Sequence, residues 1–433
     1  MSSETAGRVR LLIFFACFVI FFVSPVTVLL DSQFALLTSE SLMRNRTPAL
    51  NQFEIPGLNP TVLPTRRGLA QPGMFYQLVR RQGRVLYTYP HGSSFLSLPF
   101  VAMLNALGVS TLKNGKTYDL ISEVLEEKLL ASLLMAAAAA IFFEIGTQTP
   151  LPVLASTVVA IGGALGTQVW SSASRTLWSQ TWEVLLASCV ALMLLRADRS
   201  GVRPVRLATL MAWMYFVRPT AVVAIVSVTF YVGVFYRRDA IVCLVALCAW
   251  ALIFVLYWML IFGQVLPDYY RQGDLLDLAR IARTLPSVLI SPSRGLLVFV
   301  PTIPMVIYLA ARYWKAIDRR LATLALAIVC GNLLLVASYP HWWGGWSYGP
   351  RLLTGTIPWF VLLGAMGCRA LIADTMRGAN VARLSLALIL LAIAINGWGA
   401  VSWTATFWSK DVDINTHPEQ AWNWRHPQFL AGL

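Results

Sequence analysis

Apolar runs of roughly 20 residues recur from one end of this chain to the other, each long enough to span a bilayer. Lipid offers no partner to an unpaired N–H or C=O, so such runs must be helices. The 433 residues are 57% hydrophobic and 12% charged, with 16 Trp, which is far from the balance of a soluble domain. The expected fold is therefore an all-α polytopic membrane protein. The net charge of +14 could signal nucleic acid, but the arginines fall in small clusters between apolar runs, as the positive-inside rule requires. No nucleic-acid partner is expected. Five of the six cysteines lie inside apolar runs and Cys368 ends another, so neither a disulfide framework nor a thiolate zinc site is indicated.

The basic start GRVR places the N-terminus in the cytoplasm. The apolar run at 11–30 lacks a small-residue cleavage pattern, so it is expected to stay as an anchor and to deliver Asp31 at the outer surface. Residues 31–118 then form a large first extracytoplasmic loop. Within it, SSFLSLPFVAMLNALG is short for a span and contains Pro99, so it is expected to lie in the interface as a helix. Further spans are expected near 120–145, 151–169 and 182–196, followed by a hairpin of two short helices over 207–236 hinged at VRPT. The last ones fall near 240–263, 295–312, 321–339, 352–370 and 384–403, leaving an extracytoplasmic tail at 404–433. That makes about eleven transmembrane helices in a single domain covering 1–433, in a plasma (bacterial inner) membrane.

This threading puts every chemically unusual segment on the extracytoplasmic face. Asp31 directly follows the first apolar run, where partial desolvation suits a general base. Glu40 lies nine residues on and shares the site if that segment turns back. Arg175, Arg218, Arg294 and Arg351 stand at the ends of different helices, placed to converge on a phosphate, although each could instead snorkel at the interface. His91 and His341 could orient a phosphate or assist proton transfer, or serve as interfacial hydrogen-bonding residues. In HWWGGWSYGPR, Trp343 and Trp346 offer flat apolar faces for a sugar or isoprenoid chain, and the glycines allow close backbone approach. No HExxH pair, phosphate loop, GxSxG elbow or dinucleotide fingerprint occurs. No acidic cluster clearly suits a divalent metal, so no cofactor is expected.

Taken together, LLDSQFALLTSESL, YTYPHGSSFLSLPF, GTQVWSSASRTLWSQTW, VRPT, SPSRGLLVFVP and WWGGWSYGPRLL resemble the GT-C superfamily of membrane glycosyltransferases. They especially resemble bacterial relatives of glycosyltransferase family 39, which includes protein O-mannosyltransferases and lipid A aminoarabinose transferases. The resemblance implies transfer of a sugar from a polyprenyl-phosphate donor to a hydroxyl of a glycan, lipid or protein acceptor, with inversion. It assigns Asp31 as the base and Arg218, Arg294 and Arg351 to the donor phosphate. Two positions depart from the family pattern: Ser32 stands where a second acid is frequent, and Gln180 where relatives carry His. The alternatives by composition are a transporter or flippase of a lipid-linked sugar and a ligase of lipid-linked glycans.

Overall fold

The computed structural model describes residues 3–65, 75–271, 277–374, 378–410 and 413–433. The first half contains helices α1 (Ser3–Val23), α2 (Ala35–Asn45), α3 (Gly92–Ala106), α4 (Leu120–Gln148), α5 (Val153–Leu165), α6 (Ser179–Ser200) and α7 (Pro204–Val217). There follow α8 (Val222–Phe235), α9 (Arg237–Phe262), α10 (Leu278–Ile290), α11 (Leu296–Phe299) and α12 (Ile303–Arg312). The chain closes with α13 (Arg319–Ala337), α14 (Ile357–Ala373), α15 (Gly378–Val401) and α16 (Trp403–Thr406). Among the described residues, seven helices are long and apolar enough to cross a membrane: α1, α4, α6, α9, α13, α14 and α15. Exposed Leu12 and Phe15 on α1, and Ile241, Leu252 and Leu260 on α9, make faces that are stable in lipid and not in water.

The centre of the bundle is α4, packed against α1, α5, α6 and α14. Its run Met135–Ala140 is almost all alanine, and small residues let helices approach closely where no hydrophobic effect drives them together. Gly163 on α5 makes the same allowance: a Cβ there would come within 2.6 Å of Val361 on α14 and 3.1 Å of Phe142 on α4.

Proline accounts for two of the departures from the expected element ends. The first helix stops at Val23 rather than near 30, because Pro25 has no N–H and disfavours helical backbone at Ser24. Residues 24–30 then run without helix, so Asp31 sits well beyond the helix end. The span expected near 295–312 is divided between α11 and α12, with Pro301 and Pro304 at the break. The break at VRPT is present: α7 ends at Val217 and a 3-10 turn, Pro219–Ala221, leads into α8. Helix α10, in a segment expected to be loop, was not anticipated.

The first long loop is a folded layer with its own core. Strands β1 (Leu78–Arg81) and β2 (Arg84–Tyr87), and β3 (Leu112–Lys113) and β4 (Thr117–Tyr118), form two small antiparallel hairpins beside α2 and α3. Phe34, Leu37, Leu50, Leu78, Tyr87 and Tyr118 pack at their centre. The two ends of the bundle differ chemically. At one, Glu144 near the end of α4 pairs with Arg10 of α1 at 3.2 Å and with Arg196 of α6. The folded loop and the start of α4 lie at the other.

Candidate functional site

Asp31 is carried on a connection that buried side chains hold from behind. Three residues on, Phe34 adopts φ 75°, a left-handed backbone that bulky residues seldom hold, so something must enforce it. That something is Glu123, in the first turn of α4. Its carboxylate accepts the backbone N–H groups of Phe34 and Leu36, both at 3.0 Å, and the Tyr118 hydroxyl at 2.5 Å. These are the donors that the start of α2 leaves unpaired. Glu127, one turn along, accepts Ser32 Oγ at 2.7 Å, Thr176 Oγ1 at 2.5 Å and the Leu177 N–H at 3.1 Å. It thereby ties the Asp31 connection to the loop between α5 and α6.

In front of Asp31 is a cavity of about 340 Å³. The Asp31 carboxylate accepts the Tyr89 hydroxyl at 2.8 Å and the Tyr76 hydroxyl at 3.3 Å on one oxygen, and Arg351 Nη2 at 3.0 Å on the other. Its carbonyl accepts the Tyr87 hydroxyl at 2.5 Å. The side chain is still 27% exposed, so one flank stays open to the cavity. The Arg351 guanidinium stacks 4.0 Å from the Trp178 ring centre and donates through Nε to the Gly344 carbonyl at 2.7 Å. Gly344 holds φ +72°, and a side chain there would press on Arg351 and Leu352, which explains a glycine at this point.

Arg218, from the break between α7 and α8, also lines this cavity. It is nearly buried, pairs with Glu183 of α6 at 3.1 Å, and also bonds Thr220, Ser179 and the Leu352 carbonyl. Tyr87, Tyr89, Trp178, Tyr269 and Tyr339 give the cavity aromatic walls, and Gln180, His341, Gly345 and Asn415 add polar edges. Asp31, Arg218, His341 and Arg351, predicted from sequence, thus share one cavity.

The other predicted residues lie elsewhere. Arg175 is buried and turns back on α1, donating to the carbonyls of Phe21, Ser24 and Val26, where the helix C-terminus attracts positive charge. Burial lowers its guanidinium to about 9, leaving it charged near neutral pH. Arg294 donates to the carbonyls of Trp343 at 2.7 Å and Gly345 at 3.0 Å and to Gln428 at 2.5 Å, so it braces the glycine loop against the tail. Burial lowers it likewise to about 9. Trp343 and Trp346 reach the same tail, bonding Asn415 at 3.0 Å and Asp413 at 2.9 Å, and neither lines the cavity. Glu40 is buried among Arg44, Asn105 and Ser110 and joins α2 to α3.

His91 stands behind Tyr87, its ring parallel to the tyrosine ring with centres 6.1 Å apart. Nε2–H donates to the Tyr87 carbonyl at 2.8 Å, and Nδ1 accepts the Tyr257 hydroxyl at 2.5 Å, a pattern that fits the neutral ring. Burial pushes its pKa down from 6.5 to about 4. As the pH falls, the unfolded chain takes up this proton first, so the contribution of His91 is complete above about pH 6.5 and is lost as pH falls to about 4. Over that window it amounts to about 3 kcal/mol. His91→Gln should therefore flatten the melting temperature against pH between 7 and 4; an unchanged slope would mean that other groups set it.

A scan against protein-family models finds no match for the chain, and neither does a search of curated proteins. What the site does must be argued from its own residues. Among the described residues, no group of three or more His, Cys, Asp or Glu side chains is placed to hold a metal ion. Several residues that build the site were not singled out from sequence: Tyr87, Tyr89, Trp178, Glu123 and Glu127. A signal for the glutamates does exist, since acids at 123, 126 and 127 fall on one face of the first two turns of a largely apolar span.

Proposed function

We propose that this chain is a membrane glycosyltransferase, moving a sugar from a polyprenyl-phosphate donor to an acceptor hydroxyl on the extracytoplasmic face. The observation that carries the reading is the meeting of one partly open carboxylate, Asp31, with two guanidiniums, Arg218 and Arg351, in an aromatic-walled cavity. A carboxylate can take a proton from a hydroxyl, guanidiniums favour a developing phosphate charge, and flat rings suit a sugar face. In the reaction, Asp31 accepts the acceptor's O–H proton while that oxygen bonds to the anomeric carbon. The bond from that carbon to the phosphate oxygen breaks, and its electron pair leaves with the polyprenyl phosphate. A single displacement of this kind inverts the anomeric centre. The proton on Asp31 then passes to solvent through the open flank.

On this reading the spans number eleven: the seven long helices, with α5, α7, α8 and the α11–α12 pair as the shorter ones. The positive-inside rule sets the arginine-rich end in the cytoplasm and the Asp31 cavity outside. The test is reconstitution of the full chain in proteoliposomes with a labelled polyprenyl-phosphate sugar. Label should pass to a hydroxyl acceptor with release of polyprenyl phosphate. Movement of intact donor across the bilayer without acceptor, and no transfer with it, would overturn the reading in favour of a flippase.

A further inference from the structure

At the end of the bundle remote from Asp31, a second cavity of about 420 Å³ opens between the last turns of α6 and the first turn of α7. Helix α6 links the two cavities: Ser179 and Gln180 at its start line the first, and Arg196 near its end lines the second. Its 22 residues span about 33 Å at 1.5 Å per residue, close to the thickness of a bilayer core. The second cavity therefore opens at the opposite membrane surface.

Its lining has two halves. Arg196, Arg203 and Arg206 supply positive charge, and Met193, Leu194 and Leu207 an apolar wall. Arg196 is paired with Glu144, whereas among the described residues no carboxylate pairs with Arg203 or Arg206. The first N–H groups of α7 have no side-chain cap and add to the positive potential at the same point. Two guanidiniums lining one cavity can share a single phosphate through charge-assisted hydrogen bonds. Arg203 and Arg206 are exposed, as a positive-inside bias requires, but unlike exposed Arg237 and Arg238 they line a cavity that also has an apolar wall.

We infer that this cavity binds the headgroup of an anionic phospholipid, with Arg203 and Arg206 on its phosphate. The apolar wall takes the first carbons of an acyl chain, which selects a lipid phosphate over the free ion. This assignment does not depend on the chemistry at Asp31.

Native mass spectrometry of the full chain in a non-ionic detergent tests it, with dioleoyl phosphatidylglycerol, dioleoyl phosphatidylcholine and inorganic phosphate as probes. One phosphatidylglycerol should remain bound per chain, and the Arg203→Gln/Arg206→Gln double variant should weaken retention by about tenfold or more. Both positions are exposed, so the variant should melt like the wild type. Arg206→Gln alone should give an intermediate loss, which keeps the test open if the double variant fails to fold. Equal retention of phosphatidylglycerol by wild type and variants would overturn the assignment. So would equal retention of phosphatidylcholine, or displacement of the lipid by inorganic phosphate at equal concentration.

Discussion

Asp31→Asn is expected to lower sugar transfer by about a hundredfold to ten thousandfold while the protein inserts, folds and still binds donor. The substitution keeps the shape of the side chain and an oxygen that can accept the Tyr76 and Tyr89 hydroxyls, now 3.3 and 2.8 Å from the carboxylate. It removes the group able to take a proton. It also removes the anion that faces Arg351 at 3.0 Å, leaving that guanidinium free for a phosphate, so donor affinity should hold or rise. A fall in kcat with an unchanged or lower donor KM is the mark of a base. A raised donor KM with near-normal kcat would assign Asp31 to binding, and wild-type turnover would remove it from the reaction.

The apolar runs were legible because lipid leaves a backbone one solution at that length, and the VRPT break because proline admits no other. The fate of each arginine was not. Arg175 and Arg294 look in sequence like Arg218 and Arg351, each in a polar connection between apolar runs. They differ in what surrounds them once folded. The non-helical stretch after Pro25 strands carbonyls at the end of α1 that Arg175 satisfies, and the left-handed turns at Gly344 and Gly345 set backbone near Arg294. Buried carbonyls need donors, and the nearest guanidinium is spent on them. Local composition does not record which carbonyls will be stranded. The tail was equally opaque, since its short 3-10 turns show no apolar period, yet Asn415 and Gln428 reach the glycine loop from there. The acids at 123, 126 and 127 mark one face of α4 in the sequence, but an acid in the first turn of a helix is ordinary, and only the contact with Phe34 shows that Glu123 shapes the Asp31 connection.

Arg351→Gln should cut transfer efficiency by about a hundredfold to a thousandfold, the range expected for one charged donor at a developing anion. The loss should fall on the donor, raising its KM and lowering kcat, with acceptor KM unchanged. The reason lies in the competition the site sets up. Arg351 is paired with Asp31, and on the proposed reading a donor phosphate would need the same guanidinium, so the phosphate that docks would also release the base. Glutamine keeps part of the stem over Trp178 but carries no charge, so it neither draws in the phosphate nor restrains Asp31. Arg351→Lys separates charge from geometry. An ammonium is a point charge without the planar fork, so it cannot hold the Gly344 carbonyl through Nε and the Asp31 carboxylate through Nη2 as arginine does at 2.7 and 3.0 Å. Lysine should therefore restore donor KM more than kcat. If lysine instead restored both in full, charge alone would suffice and the planar stacking on Trp178 would play no part; if glutamine left donor KM unchanged, Arg351 would not be the residue that holds the phosphate.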